Sequence, residues 1–378
     1  MKSRSWVLLA CMVAATAFAG PANADDLAIC RAGKGDGDAV VKACSAAIAA
    51  GTLKGEALAE VHLSRGLARP DNKSAIADYD EAIKLSPSLA AAYVDRGVAF
   101  HDMGQYERAV KDFIRAVELR PNLAIAWGDL GVTYSSMRDW AHSIEALSKA
   151  IELAPTDPVN FNNRCYAYNM TKGYDDAMRD CSKALELDPK YMLALVGRGN
   201  AYWNKRDYDK AIDNYSHALA IDPKRASTWM ARGSANTNKG DLDASIADYG
   251  EAIKLDPSRP LAWNGRCWAR VTKPKTFATE LQLALEDCNK ALALETNMAA
   301  IFDSRALVYL KLGKYDEAIA DYDRALALDP RMATSLYGRA IAKFRKAPLD
   351  ASAKEDFADA KRQTLTIAEE FTRYGVTR

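Results

Sequence analysis

Few groups in this chain could do covalent or metal chemistry. Its 378 residues hold seven cysteines and four histidines. No two cysteines stand at a CxxC-like spacing, and His62, His101, His142 and His217 fall at unrelated places, so neither a zinc site nor a dithiol redox motif is formed. The sequence contains no HExxH, no Gly-x-Ser-x-Gly and no Walker-type loop. Gly33-Lys34-Gly35-Asp36-Gly37 has the composition of a phosphate loop, but its spacing fits neither nucleotide motif and it reads as a helix-breaking turn. No catalytic residue, metal or cofactor is expected. What remains is disulfide formation and non-covalent recognition, and both depend on the elements that carry the residues.

The chain opens as an export signal does. Lys2 and Arg4 precede an apolar run from Trp6 to Phe18, broken only by Thr16, and Ala22-Asn23-Ala24 supplies a small-x-small cleavage pattern. The expected organisation is a signal peptide at 1–24, a degenerate helical pair at 25–53, a repeat array at 54–330, and a final repeat with a capping helix at 331–378. Leu8-Leu9-Ala10-Cys11 loosely matches a lipoprotein signal, but the apolar run continues past Cys11. No later segment is long and apolar enough to be a membrane span. The chain carries 51 basic and 50 acidic side chains. Removing Lys2 and Arg4 leaves 49 against 50, which lacks the basic footprint of a nucleic-acid binder.

Self-similarity organises the rest. Pro87, Pro121, Pro155, Pro189, Pro223 and Pro257 recur every 34 residues; Thr296 takes the same place after five extra residues, and Pro330 follows. Around them runs the phrase Ala-Ile-x-x-Tyr-x-x-Ala-Ile-x-Leu-x-Pro, as at Ala75 to Pro87. An upstream segment reads aromatic, Arg-Gly, aromatic (Tyr93, Arg96-Gly97, Phe100), then a turn such as Met103-Gly104-Gln105. Over about residues 55–362 this resembles the tetratricopeptide repeat family. The resemblance implies an all-α, right-handed superhelical solenoid of antiparallel helix pairs. The physics agrees: each segment carries an apolar stripe at helical spacing, a helix this short is marginal alone, and stacking must bury its face. Eight full units are expected, with the degenerate pair before them and one pair after Pro330. The segment Ile367 to Tyr374 is expected to dock as a cap.

Comparing the repeats with one another exposes two paired patterns. Cys165 takes the slot of Gly97, Gly131, Gly199 and Gly233, and Cys181 takes the slot of Phe113, Tyr215, Tyr249 and Tyr322. Cys267 and Cys288 occupy the same two slots, and Cys30 and Cys44 fit them in the first unit. The glycine slot marks a close approach of two helices, within disulfide reach. An exported chain meets an oxidising compartment. The expected bridges are Cys30–Cys44, Cys165–Cys181 and Cys267–Cys288. The second pattern pairs Arg96, Arg164, Arg232, Arg266, Arg305 and Arg339 with Asp112, Asp180, Asp248, Asp287, Asp321 and Asp356, and Arg65 with Asp78. Where the Arg is lost at Leu130, the Asp is lost at Ala146; Arg198 faces Asn214. These read as structural pairs between the two helices of a unit.

In the family the resemblance points to, first helices line the concave face. The first-helix residues left over from packing are Asn162, Tyr166, Asn169, Met170, Asn200, Trp203, Asn204, Thr237, Asn238, Asn264 and Trp268. Asparagine can both donate to and accept from an extended backbone, and aromatics add contact area. Such an inward Asn ladder is similar in residue type to the peptide-holding groove of the O-GlcNAc transferase repeats. The slots at which co-chaperones of the family clamp a terminal carboxylate hold Val94, Gly128, Asn162, Val196 and Met230, none of them basic. The insertion within Thr272 to Leu281 reads as a tolerated lengthening or an exposed partner-contacting loop. The expected function is a non-enzymatic, periplasmic or secreted scaffold, released by cleavage near Ala24, that binds a protein or extended peptide and not nucleic acid. The alternatives are a multimerising envelope protein that works by its edges, and a carbohydrate binder using Trp203 and Trp268.

Overall fold

The computed structural model describes residues 21–33 and 36–377. The expected signal peptide lies outside the described residues except for its last four. Pro21–Ala32 form α1, so the expected cleavage point falls inside that helix.

Every regular element among the described residues is a helix. The helices come as antiparallel pairs: α1 with α2 (Gly37–Ala49), α3 (Gly55–Ala68) with α4 (Asn72–Leu85), α5 (Ala90–Asp102) with α6 (Tyr106–Leu119), and α7 (Ala124–Ser136) with α8 (Trp140–Leu153). These lie in a first compact unit ending at Thr156. The second, Asp157–Arg378, holds α9 (Pro158–Met170) with α10 (Tyr174–Leu187), α11 (Met192–Asn204) with α12 (Tyr208–Ile221), and α13 (Ala226–Lys239) with α14 (Leu242–Leu255). It continues with α15 (Pro260–Val271) and α16 (Ala278–Leu294), α17 (Ala299–Lys311) and α18 (Tyr315–Leu328), α19 (Ala333–Lys346) and α20 (Ala351–Gln363), and the short α21 (Ile367–Arg373). The repeat boundaries are those the prolines mark. The division at Thr156 was not expected, because the 34-residue spacing runs through it without a break.

Local chemistry explains the punctuation. Asp71, Asp139, Asp207 and Asp241 cap α4, α8, α12 and α14 by accepting a backbone N–H of the first turn. Pro158 and Pro260 open α9 and α15, where a missing N–H costs nothing. The repeated proline has a second use. Trp127, Trp229 and Trp263 donate Nε1 to the carbonyls of Pro121, Pro223 and Pro257 at 2.9, 2.8 and 2.9 Å. Each bond ties the start of a first helix to the turn before it.

Within a pair, alanines such as Ala109, Ala116, Ala211 and Ala252 are fully buried and let the backbones approach. A large residue of the second helix fills the space over the small slot: Phe113 over Gly97 and Tyr215 over Gly199. A Cβ at Gly199 would stand 2.6 Å from the Tyr215 ring. The three cysteine pairs occupy this same joint. Cys30–Cys44, Cys165–Cys181 and Cys267–Cys288 are disulfide-bonded, with Cα–Cα separations of 4.8, 5.5 and 5.5 Å.

Candidate functional site

The expected Arg–Asp pairs form, and several of the arginines do more than expected. In the second unit Arg232 binds both oxygens of Asp248, the Nη2–Oδ1 distance being 2.7 Å. Arg164–Asp180, Arg266–Asp287, Arg305–Asp321 and Arg339–Asp356 follow the same two-pronged geometry, as Arg96–Asp112 does in the first unit. Arg65 meets Asp78 there too, and Arg198 donates to Asn214 at 2.8 Å. The guanidinium's remaining nitrogen reaches back to the preceding pair: Arg96 to Asp80, Arg198 to Ser182, Arg232 to Ser216, Arg305 to Asn289 and Arg339 to Asp323. One planar side chain thus joins three helices, a task a Lys ammonium could not match in geometry. These charges are committed to architecture. The open hollow bounded by Ile212, Ser216, Arg232, Asn236, Lys239 and Asp248 is built around one such pair, and it is not on the face expected to receive a guest.

The eleven expected groove residues all lie in the second unit, and the structure sorts them into two groups. Tyr166 and Met170 stand on one face of α9 at 52% and 49% exposure. Asn200 and Asn204 on α11, Asn238 on α13 and Trp268 on α15 hold the same helical positions. Asn204 and Asn238 lie exposed but each folds onto its own helix, bonding Asn200 O and Ser234 O. Asn200 accepts the Tyr215 hydroxyl at 2.7 Å and so braces the helix pair.

The other five turn sideways into the joints, which revises their expected place in the groove. Asn162 is buried. Asn169 donates Nδ2 to the Gly197 carbonyl of α11 at 2.9 Å. Trp203 packs beside Tyr215 and Ala235 with its Nε1 buried and unpaired. Thr237 shares a 2.6 Å hydrogen bond with Ser245 of α14. Asn264 has its Oδ1 buried without a partner. The reason is geometric. A helix in a stack has a neighbour on each side as well as behind, so only one narrow stripe faces outward. Residues three positions after or four before a stripe position fall on its flank, where Asn169 and Trp203 meet the next first helix.

The same stripe includes apolar residues that sequence reasoning passed over. Val159 is seven residues before Tyr166, two helical turns away on the same face, and is 45% exposed. Leu193 on α11 and Leu261 on α15 are its counterparts, and both are exposed. The signal was present in the repeat alignment, since each stands 34 residues or a multiple from the others. It was hidden because an apolar residue near a helix start reads as core. The exposed face is therefore apolar and aromatic more than it is an asparagine ladder.

Trp268 is covered. Its ring meets Tyr374 of the C-terminal segment edge-on, with centroids 5.5 Å apart. That segment packs on α19 of the last pair and extends along the first-helix face to α15. The insertion belongs to the same assembly. Lys311 of α17 donates Nζ to the Lys273 carbonyl and to Thr276 Oγ1, holding the loop, and burial pushes its ammonium down to about 8. The loop's Pro274 lies directly against Gly375.

In the first unit the Tyr166 slot of α5 holds Val98 and the Val159 slot of α7 holds Ile125, both exposed, and acidic residues lie beside them. Asp95 on α5 and Asp129 on α7 hold equivalent positions in consecutive repeats, and burial pushes both carboxyls up to about 7; for Asp95 the nearby Asp129 charge adds to the effect.

Comparison with known proteins agrees with this architecture. Tetratricopeptide repeat profiles match residues 68–104, 90–123, 124–157, 166–226, 196–260 and 304–332. The chain belongs to the tetratricopeptide repeat proteins. Among solved structures, a tetratricopeptide repeat protein from Parabacteroides merdae is 16% identical with a TM-score of 0.52, over 68% of this chain and 99% of that one. The APC/C hetero-tetramer Cut9–Hcn1 contains a chain 14% identical with a TM-score of 0.54, over 94% of this chain and 69% of that one. At such identities the likeness is one of fold. Comparison with curated proteins gives no match. No helix among the described residues is long and apolar enough to cross a membrane.

Proposed function

We propose that this chain is a non-enzymatic binding scaffold, exported to an oxidising compartment such as the periplasm, that holds a short protein segment on the first-helix face of its second unit. One observation carries the reading: Val159, Tyr166 and Met170 form a single outward stripe on α9, each about half exposed. Leaving three large apolar side chains half exposed along one face forgoes roughly half of the ~1.5–3 kcal/mol that full burial of each would give. Contiguous apolar surface of this kind marks an interaction site. Leu193 and Leu261 extend the stripe to α11 and α15.

The residue types favour an uncharged, apolar segment as guest. The cationic side chains of the repeats are held by Asp, Asn and Ser partners, so nothing on this stripe would clamp a carboxylate or a phosphate. Two features support the compartment: the signal-like first two dozen residues and three cysteine pairs at disulfide distance.

The test is selection of a displayed random-peptide library against the folded chain. Enriched peptides should be apolar, and binding should fall at least tenfold in a Val159→Ser, Tyr166→Ser, Met170→Ser variant of unchanged helicity. Equal binding by the two proteins would remove this stripe from the function.

A further inference from the structure

The C-terminal segment lies where a guest would. In repeat register, the slot of Tyr166 on α9 is held by Asn200, Ser234 and Trp268 on the next three first helices, and then by Leu307 on α17 and Ile341 on α19. Tyr166 is 52% exposed, whereas Leu307 and Ile341 are 2% and 0% exposed. What covers them is the segment that follows α20. Ile367, Phe371 and Val376 are buried in the same cluster as Leu310, Tyr337 and Ile341. The Phe371 ring centroid is 5.0 Å from that of Tyr337, and Tyr374 reaches on to Trp268.

The segment therefore runs along the first-helix face from α19 toward α15. A solenoid's end needs a polar cover over its last helix. This segment instead packs on α19 and reaches Trp268 on α15, in one buried cluster with Leu307 and Leu310 of α17, as a bound peptide does. Its far end is fastened by two specific contacts. Arg345 Nη2 donates to the Thr377 carbonyl at 2.6 Å. Gly375 has φ +76°, and a Cβ there would stand 2.2 Å from the Pro274 carbonyl oxygen, so only glycine closes against the inserted loop. Two departures from the repeat, the insertion and the tail, thus fit each other.

We propose that the face formed by α15, α17 and α19 is a docking site for a short helical segment with aromatic anchors spaced as Phe371 and Tyr374 are, that the chain's own residues 367–377 are its resident ligand, and that a partner bearing such a segment displaces them. The inference rests on the first-helix face being the recognition surface and adds the chemistry of the guest: an amphipathic turn with an aliphatic residue, a phenylalanine four residues on and a tyrosine three beyond that. The tail is tethered, so its effective concentration is in the millimolar range or above. A free competitor meets a site that is mostly filled.

A fluorescent peptide with the sequence of residues 364–377 tests this by anisotropy, with the full chain and its Phe371→Ala/Tyr374→Ala variant as receptors. The variant should bind the peptide at least ~100-fold more tightly than the unaltered chain, and a peptide lacking its own phenylalanine should not bind. A variant that keeps its helical signal and still ignores the peptide would overturn the proposal. Hydrogen exchange on the unaltered chain guards against a variant that does not fold. Amides of 367–376 should exchange through an opening of their own, well before those of α17 and α19; exchange in step with those helices would make the tail part of the core and overturn the idea. A dimer of the unaltered chain that Phe371→Ala dissolves would assign the site to a second copy's tail instead. Loss of library binding in the Val159/Tyr166/Met170 variant is read separately, so either reading can fail alone.

Discussion

Arg232 grips Asp248 with two nitrogens and sends its third sixteen residues back to Ser216, 2.9 Å away on the preceding pair. A contact within one unit and a contact between units therefore share one guanidinium. Asp248 is almost wholly buried and Asn236 also donates to it at 2.8 Å.

Removing one side of that pair should cost more than removing both. Arg232→Leu leaves a buried carboxylate with reduced compensation, at a cost of about 2–4 kcal/mol, discounted from the fully buried case because the guanidinium is partly exposed. The double change with Asp248→Leu should cost clearly less than the sum of the singles. A double-mutant cycle from urea unfolding measures the coupling; additive costs would contradict it.

The cysteine pairs should be intact in the exported protein. Peptide mapping without reductant should return Cys30–Cys44, Cys165–Cys181 and Cys267–Cys288. The loops close over 14, 16 and 21 residues, so the chain-entropy estimate assigns each bridge about 3 kcal/mol. Cys165→Ala/Cys181→Ala should lower the midpoint of the second unit's transition and leave that of the first in place.

The amino terminus of the exported protein should be Asp25, with Met1 to Ala24 removed. Edman or mass-spectrometric reading of the periplasmic form decides it. Retention of Lys2 and Arg4 in that form would refute the signal reading.

Asp95 and Asp129 predict a pH response in the first unit. Burial raises both carboxyls from the usual 3.8 to about 7. The folded unit thus holds protons that the unfolded chain releases, and this contribution to stability is full below pH ~4 and lost as pH rises through ~7. Asp95→Asn/Asp129→Asn should raise the first unit's thermal midpoint at pH 8 by several degrees, since about 1 kcal/mol corresponds to ~2–4 °C in a unit of this size. The gain should shrink as pH falls and vanish below pH ~4. A gain independent of pH would mean that the carboxyls are ionised throughout.

Much of the molecule could be read from one strand of text because the repeats serve as internal comparisons. Cys165 with Cys181, or Arg232 with Asp248, face each other inside a single helix pair, and any such pairing recurs or is lost as a pair. The helix pairs, the proline stops, the three bridges and the Arg–Asp ties were all decided at that short range. Three things were decided only by stacking. Whether Asn169 or Trp203 faces solvent depends on the neighbouring first helix, which occupies the flank of the stripe. The backward reach of guanidinium groups such as those of Arg96, Arg232 and Arg305 depends on the distance between consecutive pairs. The tail and the inserted loop have no copy elsewhere in the chain to be compared with, so no periodicity could announce that Gly375 closes on Pro274 or that Tyr374 covers Trp268. A repeat encodes its own interior through the residues it carries, but the occupancy of its outer face is settled by whichever segment buries the most apolar surface there.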